Sequence, residues 1–317
     1  MILEEILLNT INFSDTEFLL SYSFQYDQIK ESIKMVGLIN PPILLKCKNK
    51  FKIISGFKRI FALKKLNQKK INAFVITDDY PPIRLLQMSI LDNCLIRPFN
   101  PIEKSLIINK LKKYINKDTI IKEYFRYIGL EPSSKLYILY EPLINLEGEI
   151  KKSIAIGELS EKSGFQILNF TKEDRLSLFH LLTQLKPSFS KQNEIIELIF
   201  EISKRENISI KDVIQSDEIN TLLINSKLTT PQRLEKIREY LKKKRFPQLS
   251  KLEEEFETFK KKIGISPDIK FAHPTYFEGN TYELHLSFSK IAQLKKQINI
   301  LNKIANSEDL KKIIKNL

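Results

Sequence analysis

The sequence predicts an α+β fold in three parts: a small α+β domain over residues 1–99, an all-helical middle over 100–226 and a small α+β domain over 227–317. β-prone runs lie near both ends of the chain, whereas apolar residues in the middle follow the spacing of amphipathic helices. A chain of 317 residues is also too long for one small core. We therefore expect two or three domains.

The first domain is expected to mix strands and helices. Gly37 stands where the C-terminal cap of an amphipathic helix belongs, and the pair Pro41-Pro42 favours an extended entry into the next strand. The expected elements are an edge strand around Ile6 to Ile11, a helix over 27–36, strands over 43–45, 51–54 and 71–76, and a helix over 83–95.

The stretch from Phe51 to Leu66 joins a strand to a helix through one glycine. Gly56 has no Cβ atom, so backbone or ligand can approach it closely. Lys58 and Arg59 fall in the first helical turn, where free N–H groups and the helix dipole disfavour positive charge unless an anion lies nearby. This mismatch indicates a phosphate site. A solvated pair of cations on a lysine-rich chain is the alternative explanation.

The helical middle opens with a helix start signal. Asn100 is a typical N-cap, Pro101 suits the first helical position and Glu103 completes a capping box. The helix is expected to run to about residue 115. A second helix is expected from an N-cap at Asp118 to Tyr127.

A helix-turn-helix pattern follows in the middle region. Gly129 separates the helix that ends near Tyr127 from a helix expected over 133–140. Helix pairs with a glycine turn are common in α-domains of other functions, so the pattern alone leaves DNA binding open. The candidate DNA contacts on the second helix are Ser133, Ser134, Lys135 and Tyr137.

The rest of the chain is mostly helical. Helices are expected over 149–156, 160–170, 171–185 and 190–205, then a less regular bridge over 207–228, and helices over 230–245 and 252–263. The last domain adds a hairpin of strands over 269–272 and 281–288 and two closing helices. The apolar face of its second strand suits a homodimer interface. The run from Lys242 to Arg245 fits either helix capping with solubility or phosphate contact.

The charge of the chain is unevenly distributed. The formal net charge is +14, with 14 basic against 9 acidic residues over 1–100, 18 against 18 over 101–226, and 20 against 11 over 227–317. A basic excess attracts phosphate-bearing partners, but a count does not separate DNA, RNA, nucleotide or an acidic protein. The neutral middle argues against a strong, conventional DNA reader.

Several classes of function are disfavoured by composition. Cys47 and Cys94 lack the spacing of metal ligands, and the histidines do not cluster with them, so neither zinc nor a disulfide framework is expected. No window approaches the roughly 18 uncharged apolar residues of a membrane span, and the start MILEEILLNT is acidic where a signal peptide is basic. We expect a cytoplasmic protein.

The order of these signals resembles the ParB family of chromosome and plasmid partition proteins. SIKMVGLINPPIL is similar to that family's SI...GLI.P segment, IISGFKRIFALKKL to its I.GERR..A phosphate-binding box, and LDNCLIRPFNPIE to its ENLQREDLNPIE box. EIKKSIAIGELS followed by FQILNFTKEDR resembles the segment after its helix-turn-helix. The resemblance spans roughly residues 5 to 185, and the tail lies outside it.

The resemblance implies a ParB/sulfiredoxin-like N-terminal fold, a pocket for CTP with magnesium, and a helix-turn-helix DNA reader behind it. Gly56, Lys58 and Arg59 would face the nucleotide phosphates, while Asp92 and Asn93 would stand at the family's Glu-Asn pair, with Asn93 near the metal. In that family the nucleotide closes a dimeric clamp on DNA. The partners implied are DNA, a second copy and a partition ATPase, on the nucleoid.

Three departures from the family pattern bear on chemistry. Phe57 replaces the acidic residue of the GERR box, Lys58 replaces an arginine, and Leu95-Ile96 replace the Gln-Arg of the later box. Lysine is a point charge rather than a bidentate fork, so phosphate binding can survive with looser geometry. Arg97 lies next to the lost arginine, but one residue changes the face of a helix. We expect at most a weak CTPase.

Other functions remain as alternatives. The sulfiredoxin branch needs a cysteine at the position of Phe57, which disfavours that chemistry. A nuclease needs clustered carboxylates, and the adjacent Asp78 and Asp79 fit a polar loop better. A nucleotide-sensing adaptor that binds protein rather than DNA is the second hypothesis.

Overall fold

The computed structural model describes residues 1–22, 25–77, 80–266, 268–274, 277, 279 and 281–315. The chain forms two compact units, the first from residues 1–180 with 188–193 and the second from 181–187 with 194–317. The three-part division at residues 99 and 226 stays a prediction. Asp78 and Asp79, and Glu278 and Asn280 of the expected hairpin turn, lie outside the described residues.

A five-stranded mixed sheet forms the base of the first unit. Its strands are β1 (Ile2–Leu7), β2 (Ile11–Asn12), β3 (Ile43–Cys47), β4 (Lys50–Ser55) and β5 (Lys70–Ile76), in the order β1-β5-β3-β4-β2. β3 pairs antiparallel with β4 and parallel with β5, while β1 is antiparallel to β5. The expected edge strand is therefore two short strands, one at each edge of the sheet, because a 3-10 turn over Leu8–Thr10 separates them.

Three helices accompany this sheet. They are α1 (Asp27–Val36), α2 (Phe57–Lys65) and α3 (Pro82–Cys94). Gly37 ends α1 with φ of 78°, as the sequence predicted, yet no residue of α1 is buried. The core lies instead between the sheet and the other two helices, where Leu44, Ile53, Ile60 and Ile90 are fully buried. The prediction of an α+β fold is confirmed.

The helical region of the first unit begins with the predicted capping box. The Asn100 side chain accepts a bond from the Glu103 N–H at 2.9 Å, and the Glu103 carboxylate accepts one from the Asn100 N–H at 3.1 Å. The helices are α4 (Pro101–Leu111), α5 (Lys117–Thr119), α6 (Ser134–Tyr140), α7 (Gly148–Ile156), α8 (Glu161–Ile167) and α9 (Lys172–Leu185), whose last residues belong to the second unit.

The stretch before α6 differs from the continuous helix that the sequence predicted. Asn116, not Asp118, is the N-cap, because its side chain accepts the Thr119 N–H at 2.9 Å. A π-helical turn over Ile120–Tyr124 and a 3-10 turn over Phe125–Ile128 then replace regular helix. The glycine turn is as predicted, since Gly129 adopts the left-handed conformation with φ of 70°.

The second unit is helical around a small hairpin. Its helices are α10 (Phe189–Glu206, whose first residues belong to the first unit), α11 (Ile210–Ile214), α12 (Asp217–Ile224), α13 (Thr230–Arg245), α14 (Pro247–Ile263), α15 (Ile291–Ala305) and α16 (Glu308–Lys315), with strands β6 (Ile269–Ala272) and β7 (Glu283–Leu286). The segment over 207–228, expected as a less regular bridge, contains the two short helices α11 and α12, and its role as a bridge to the last domain stays a prediction. A capping box between Ser209 and Asp212 starts α11 there.

An aromatic cluster organises the end of the second unit. Phe256, Phe259, Phe271, Phe277 and Ile304 are buried together. β7 pairs antiparallel with β6, as predicted, but covers only 283–286 of the expected 281–288. Leu284 and Phe288 of its expected apolar face are exposed. The homodimer interface proposed there stays a prediction.

Candidate functional site

The turn between β4 and α2 requires glycine. Gly56 has φ of 90°, in the left-handed region that side chains rarely adopt. A Cβ atom at this position would lie 2.7 Å from Cβ of Pro42 and 3.0 Å from its Cα. Gly56 is also the N-cap of α2 and supplies no side-chain acceptor, so the first backbone N–H groups of the helix remain available to a ligand.

A pocket of about 390 Å³ lies at this turn. Its wall combines one face of α1 and the connector to β3 with the start of α2, the end of α3 and the segment 18–21. Among the described residues, three cations and no carboxylate belong to the lining, and most of the remaining surface is apolar. The polar lining residues are Ser21, Gln28, Ser32, Asn40, Lys58, Arg59, Ser89, Asn93 and Arg97.

Arg59 holds the connector and α3 to the turn. Its Nη1 donates to the backbone carbonyls of Asn40 at 2.8 Å and Pro41 at 3.3 Å. Its Nη2 donates to Asp92 Oδ2 at 3.1 Å, which forms an ion pair. The guanidinium therefore lines the pocket while both terminal nitrogens already have acceptors.

Asp92 and Asn93 meet the turn through Ser55. The Ser55 hydroxyl donates to Asp92 Oδ2, and Asn93 Nδ2 donates to Ser55 Oγ at 3.2 Å and to the Ser89 carbonyl at 2.8 Å. Asn93 lines the pocket, whereas Asp92 does not. The structure thus brings together all five residues that the resemblance assigned to the nucleotide, with Asp92 one layer behind the surface.

Lys58 differs from its neighbour. Its side chain has no hydrogen-bond partner among the described residues, although it is partly buried. Burial, and then the nearby charge of Arg97, lower the pKa of Lys58, and the more distant carboxylate of Glu103 only partly opposes this. An ammonium group in this position is stabilised by an anion.

Arg97 is a pocket residue that the sequence analysis did not assign to the nucleotide. It lies beyond the end of α3, so the argument from helical faces does not apply to it. Its Nη1 and Nη2 donate to Glu103 Oε2 at 2.6 Å and Oε1 at 2.8 Å, a bidentate pair. The Glu103 side chain is 1% exposed. The usable signal was the capping box, which fixes Glu103 at the start of α4 beside the chain that leaves α3.

The residues predicted for DNA contact divide into two pairs. Ser133 caps α6 by accepting the Leu136 N–H at 3.4 Å. Tyr137 is buried and stacks on Phe125 at 6.5 Å between ring centroids. Ser134 and Lys135 are exposed. DNA contact stays a prediction for all four residues, and Ser133 and Tyr137 in addition make the structural contacts described above.

The resemblance also implied magnesium. Among the described residues no three His, Cys, Asp or Glu side chains come together as a possible metal site. Asn93 offers an amide oxygen at the pocket, and Asp92 is engaged by Ser55 and Arg59. Mg²⁺ commonly binds through substrate phosphates with few protein ligands. The residues fit a metal carried by a nucleotide, and Asn93 as its ligand stays a prediction.

Comparison with known proteins finds matches in the N-terminal part of the chain. The family model of the ParB N-terminal domain matches residues 7–94. The probable chromosome-partitioning protein ParB of Campylobacter jejuni is 26% identical over 196 residues, which cover 62% of this chain and 66% of that relative. The match thus spans just under two thirds of the relative's length. The predicted resemblance to ParB is confirmed by these two matches.

Solved structures of ParB proteins are more distant. The C-terminally truncated ParB of Caulobacter crescentus complexed to the centromeric parS site has 15% identity and a TM-score of 0.37, covering 61% of this chain and 98% of that one. The same protein complexed with CTP-gamma-S has 17% identity and a TM-score of 0.27, covering 54% and 94%. A Pnob8-like ParB-N domain has 16% identity and a TM-score of 0.34, covering 75% and 97%.

No helix among the described residues has the length and apolar character of a membrane span.

Proposed function

Because residues 7–94 match the family model of the ParB N-terminal domain, we propose that this chain is a ParB-like DNA-binding protein of chromosome or plasmid partition, or of transcription, whose N-terminal pocket responds to CTP. It acts as a homodimeric clamp in the cytoplasm, on the nucleoid, and a partition ATPase is a further partner. Hydrolysis of the nucleotide is weak or absent.

The observation that carries the proposal is the charge of the pocket wall. Lys58, Arg59 and Arg97 line it, and no carboxylate does. A concave site with convergent cations and free helix N–H groups favours a phosphate-bearing ligand. The apolar part of the lining suits a base and sugar. Gly56 allows the phosphates to approach the backbone.

The residues that line the pocket also lead us to expect weak hydrolysis of the nucleotide. A general base must reach the attacking water, and the lining offers no carboxylate or histidine for that role. Phe57, at the position of the family's acidic residue, is 6% exposed and belongs to the core. Magnesium would neutralise phosphate charge when bound, and Asn93 would hold it. The residues of this chain then bind and orient the nucleotide rather than activate water.

Calorimetry on the full chain tests the nucleotide claim. CTP with Mg²⁺ is titrated against the protein, with ATP and GTP as comparisons. We expect saturable binding of CTP that Lys58→Gln weakens about tenfold or more, since a charge-assisted contact is lost. Lys30→Gln is the matched control, because Lys30 is a cation of α1 outside the pocket lining. Absence of CTP binding by the wild type contradicts the proposal.

DNA binding is assigned to the region of α6. Ser134 and Lys135 offer a hydroxyl and a cation at its exposed start. An anisotropy titration of the full chain with duplex DNA across salt concentrations measures the contacts, since the log-log slope is about −0.9 per phosphate contact. A steep slope that Lys135→Gln reduces supports the assignment. A flat response removes it.

A nucleotide-sensing adaptor is the second candidate function. It is favoured by the surface of α6, where Ile138 is 64% exposed and Tyr137 is buried. A helix that presents an apolar side chain and one lysine suits a protein partner as well as a phosphate backbone. If the chain binds CTP and its DNA titration does not change with salt concentration, the adaptor function is favoured over DNA binding.

A further inference from the structure

Arg97 and Lys58 come together although they are far apart in sequence. Both line the pocket, Lys58 from the first turn of α2 and Arg97 from the segment after α3. The charge of Arg97 acts on Lys58, whereas the terminal nitrogens of Arg59 are already bonded to Asn40, Pro41 and Asp92. An anion bound by Lys58 consequently lies near Arg97.

Glu103 holds Arg97 in place from behind the pocket. Each of its carboxylate oxygens accepts one guanidinium nitrogen of Arg97 and one backbone N–H, from Tyr22 at 3.1 Å and Asn100 at 3.1 Å. The carboxylate is buried and does not belong to the pocket lining. The pair therefore has its positive member at the pocket and its negative member inside the domain.

One edge of Arg97 is available to a ligand. The bidentate pair uses the edge between Nη1 and Nη2, which leaves the edge between Nε and Nη2. On that edge Nη2 donates only to the Ser21 hydroxyl, at 3.2 Å, and Nε has no acceptor among the described residues. Ser21 lines the pocket, so a phosphate oxygen can replace its hydroxyl without disturbing Glu103.

We propose that Arg97 forms the phosphate-binding pair with Lys58, and that Glu103 is the positioning residue that presents the Nε–Nη2 edge of Arg97 to the ligand. The ligand class is a nucleoside polyphosphate, and this assignment deepens the proposed nucleotide site and rests on it. Ile96 stands at the position of the family's arginine, and Arg97 is the next residue of this chain.

The test measures binding of two probes to the full chain, CTP with Mg²⁺ and inorganic triphosphate. Arg97→Gln is expected to weaken both by about tenfold or more, because a charge-assisted contact to phosphate is lost. Arg84→Gln is the matched control, since Arg84 begins the same α3 but does not line the pocket, and should change neither affinity more than about twofold.

Glu103→Gln tests the positioning role. It is expected to weaken triphosphate binding less than Arg97→Gln does, and the double variant should bind no more weakly than Arg97→Gln alone. Such non-additivity distinguishes positioning from general loss of structure. Circular dichroism checks folding. If Arg97→Gln does not fold, the triphosphate affinities of Arg97→Lys and of the double variant Arg97→Gln with Glu103→Gln are compared with that of the wild type instead. Equal triphosphate affinities for wild type, Arg97→Lys and the double variant overturn the proposal.

The outcomes separate this inference from the proposed function. If the wild type binds CTP and Arg97→Gln binds it equally well, Arg97 is not a ligand contact and the nucleotide function stands. If the wild type binds triphosphate but not CTP, and Arg97→Gln loses triphosphate, the phosphate pair stands and the CTP function fails. If the wild type binds neither probe, both are wrong.

Discussion

Two groups of cations look alike in the sequence and differ in the structure. The run from Lys242 to Arg245 at the end of α13 is fully ion-paired: its cations contact Glu194, Glu254, Glu206 and Glu201 in turn. Lys58 at the start of α2 has no carboxylate partner among the described residues. A dense basic run with matched acids is therefore a surface feature, whereas a lysine without a carboxylate partner beside an arginine is the better candidate for binding an anion.

The largest expected effect tests the turn that holds Lys58 at the pocket. Gly56→Val adds a Cβ atom that would contact Pro42 and forces a branched residue into the left-handed region. We expect a loss of about 3 kcal/mol or more in the free energy of unfolding. Urea unfolding followed by circular dichroism measures it. The control Gly264→Val shares a positive φ but meets no atom within 4 Å, and should cost less.

Arg59→Gln and Lys58→Gln compare a bonded and an unbonded cation within one turn of helix. Arg59 is paired with Asp92 and bonded to two backbone carbonyls, so its removal should lower the free energy of unfolding by about 2 kcal/mol. Lys58→Gln, one residue away, removes a cation without a bond and should not lower it. Equal destabilisation by the two substitutions would contradict the distinction between paired and unpaired cations.

Opposite pH dependence is the next effect. Burial and Arg97 lower the pKa of Lys58, so the unfolded chain keeps its proton longer and stability rises as pH increases through that lowered pKa towards 10.5. Burial lowers the pKa of Lys244, but the hydrogen bond to Glu206 outweighs burial, so the pKa of Lys244 is raised. The stability that charged Lys244 contributes is therefore lost as the pH rises above 10.5. Unfolding midpoints of Lys58→Met and Lys244→Met, measured against wild type from pH 8 to 11, should diverge in opposite directions.

The smallest effect is expected at the matched basic run. Lys243 pairs with Glu254 at an exposed site, where solvent and salt screen the pair. Lys243→Ala should leave both the thermal midpoint and the affinity for triphosphate unchanged within error. A loss of triphosphate affinity in this variant would show that basic surface charge, rather than the pocket, governs anion binding.

Local signals in the sequence predicted much of the fold. The Asn100 capping box, the caps at Gly37 and Gly129 and the strand and helix on either side of Gly56 all follow from residue types at fixed spacing. These features depend on neighbours within a few residues, so they can be recognised without tertiary structure. The residues predicted to bind a nucleotide were chosen from motifs in order, and their role stays a prediction.

What the sequence missed depends on contacts between distant segments. The position of Arg97 follows from the chain leaving α3 and returning to Glu103, and no helical periodicity describes that path. The burial of Tyr137 follows from its packing against Phe125 across the turn. The pairing of Lys242 and Arg245 likewise requires α13 to lie beside carboxylates of α10.

Helix α1 has a consequence for motion that its sequence alone does not suggest. It supplies Ile29 and Ile33 to the pocket wall, yet none of its residues is buried, while Ile53 and Ile54 of β4 are fully buried. A segment with few buried contacts opens at low free energy without global unfolding. Its amides should therefore exchange with deuterium well before those of β4. A bound ligand would slow exchange in α1 first. The exchange rate of this helix therefore reports whether the pocket is occupied, while the amides of the sheet remain protected in both states.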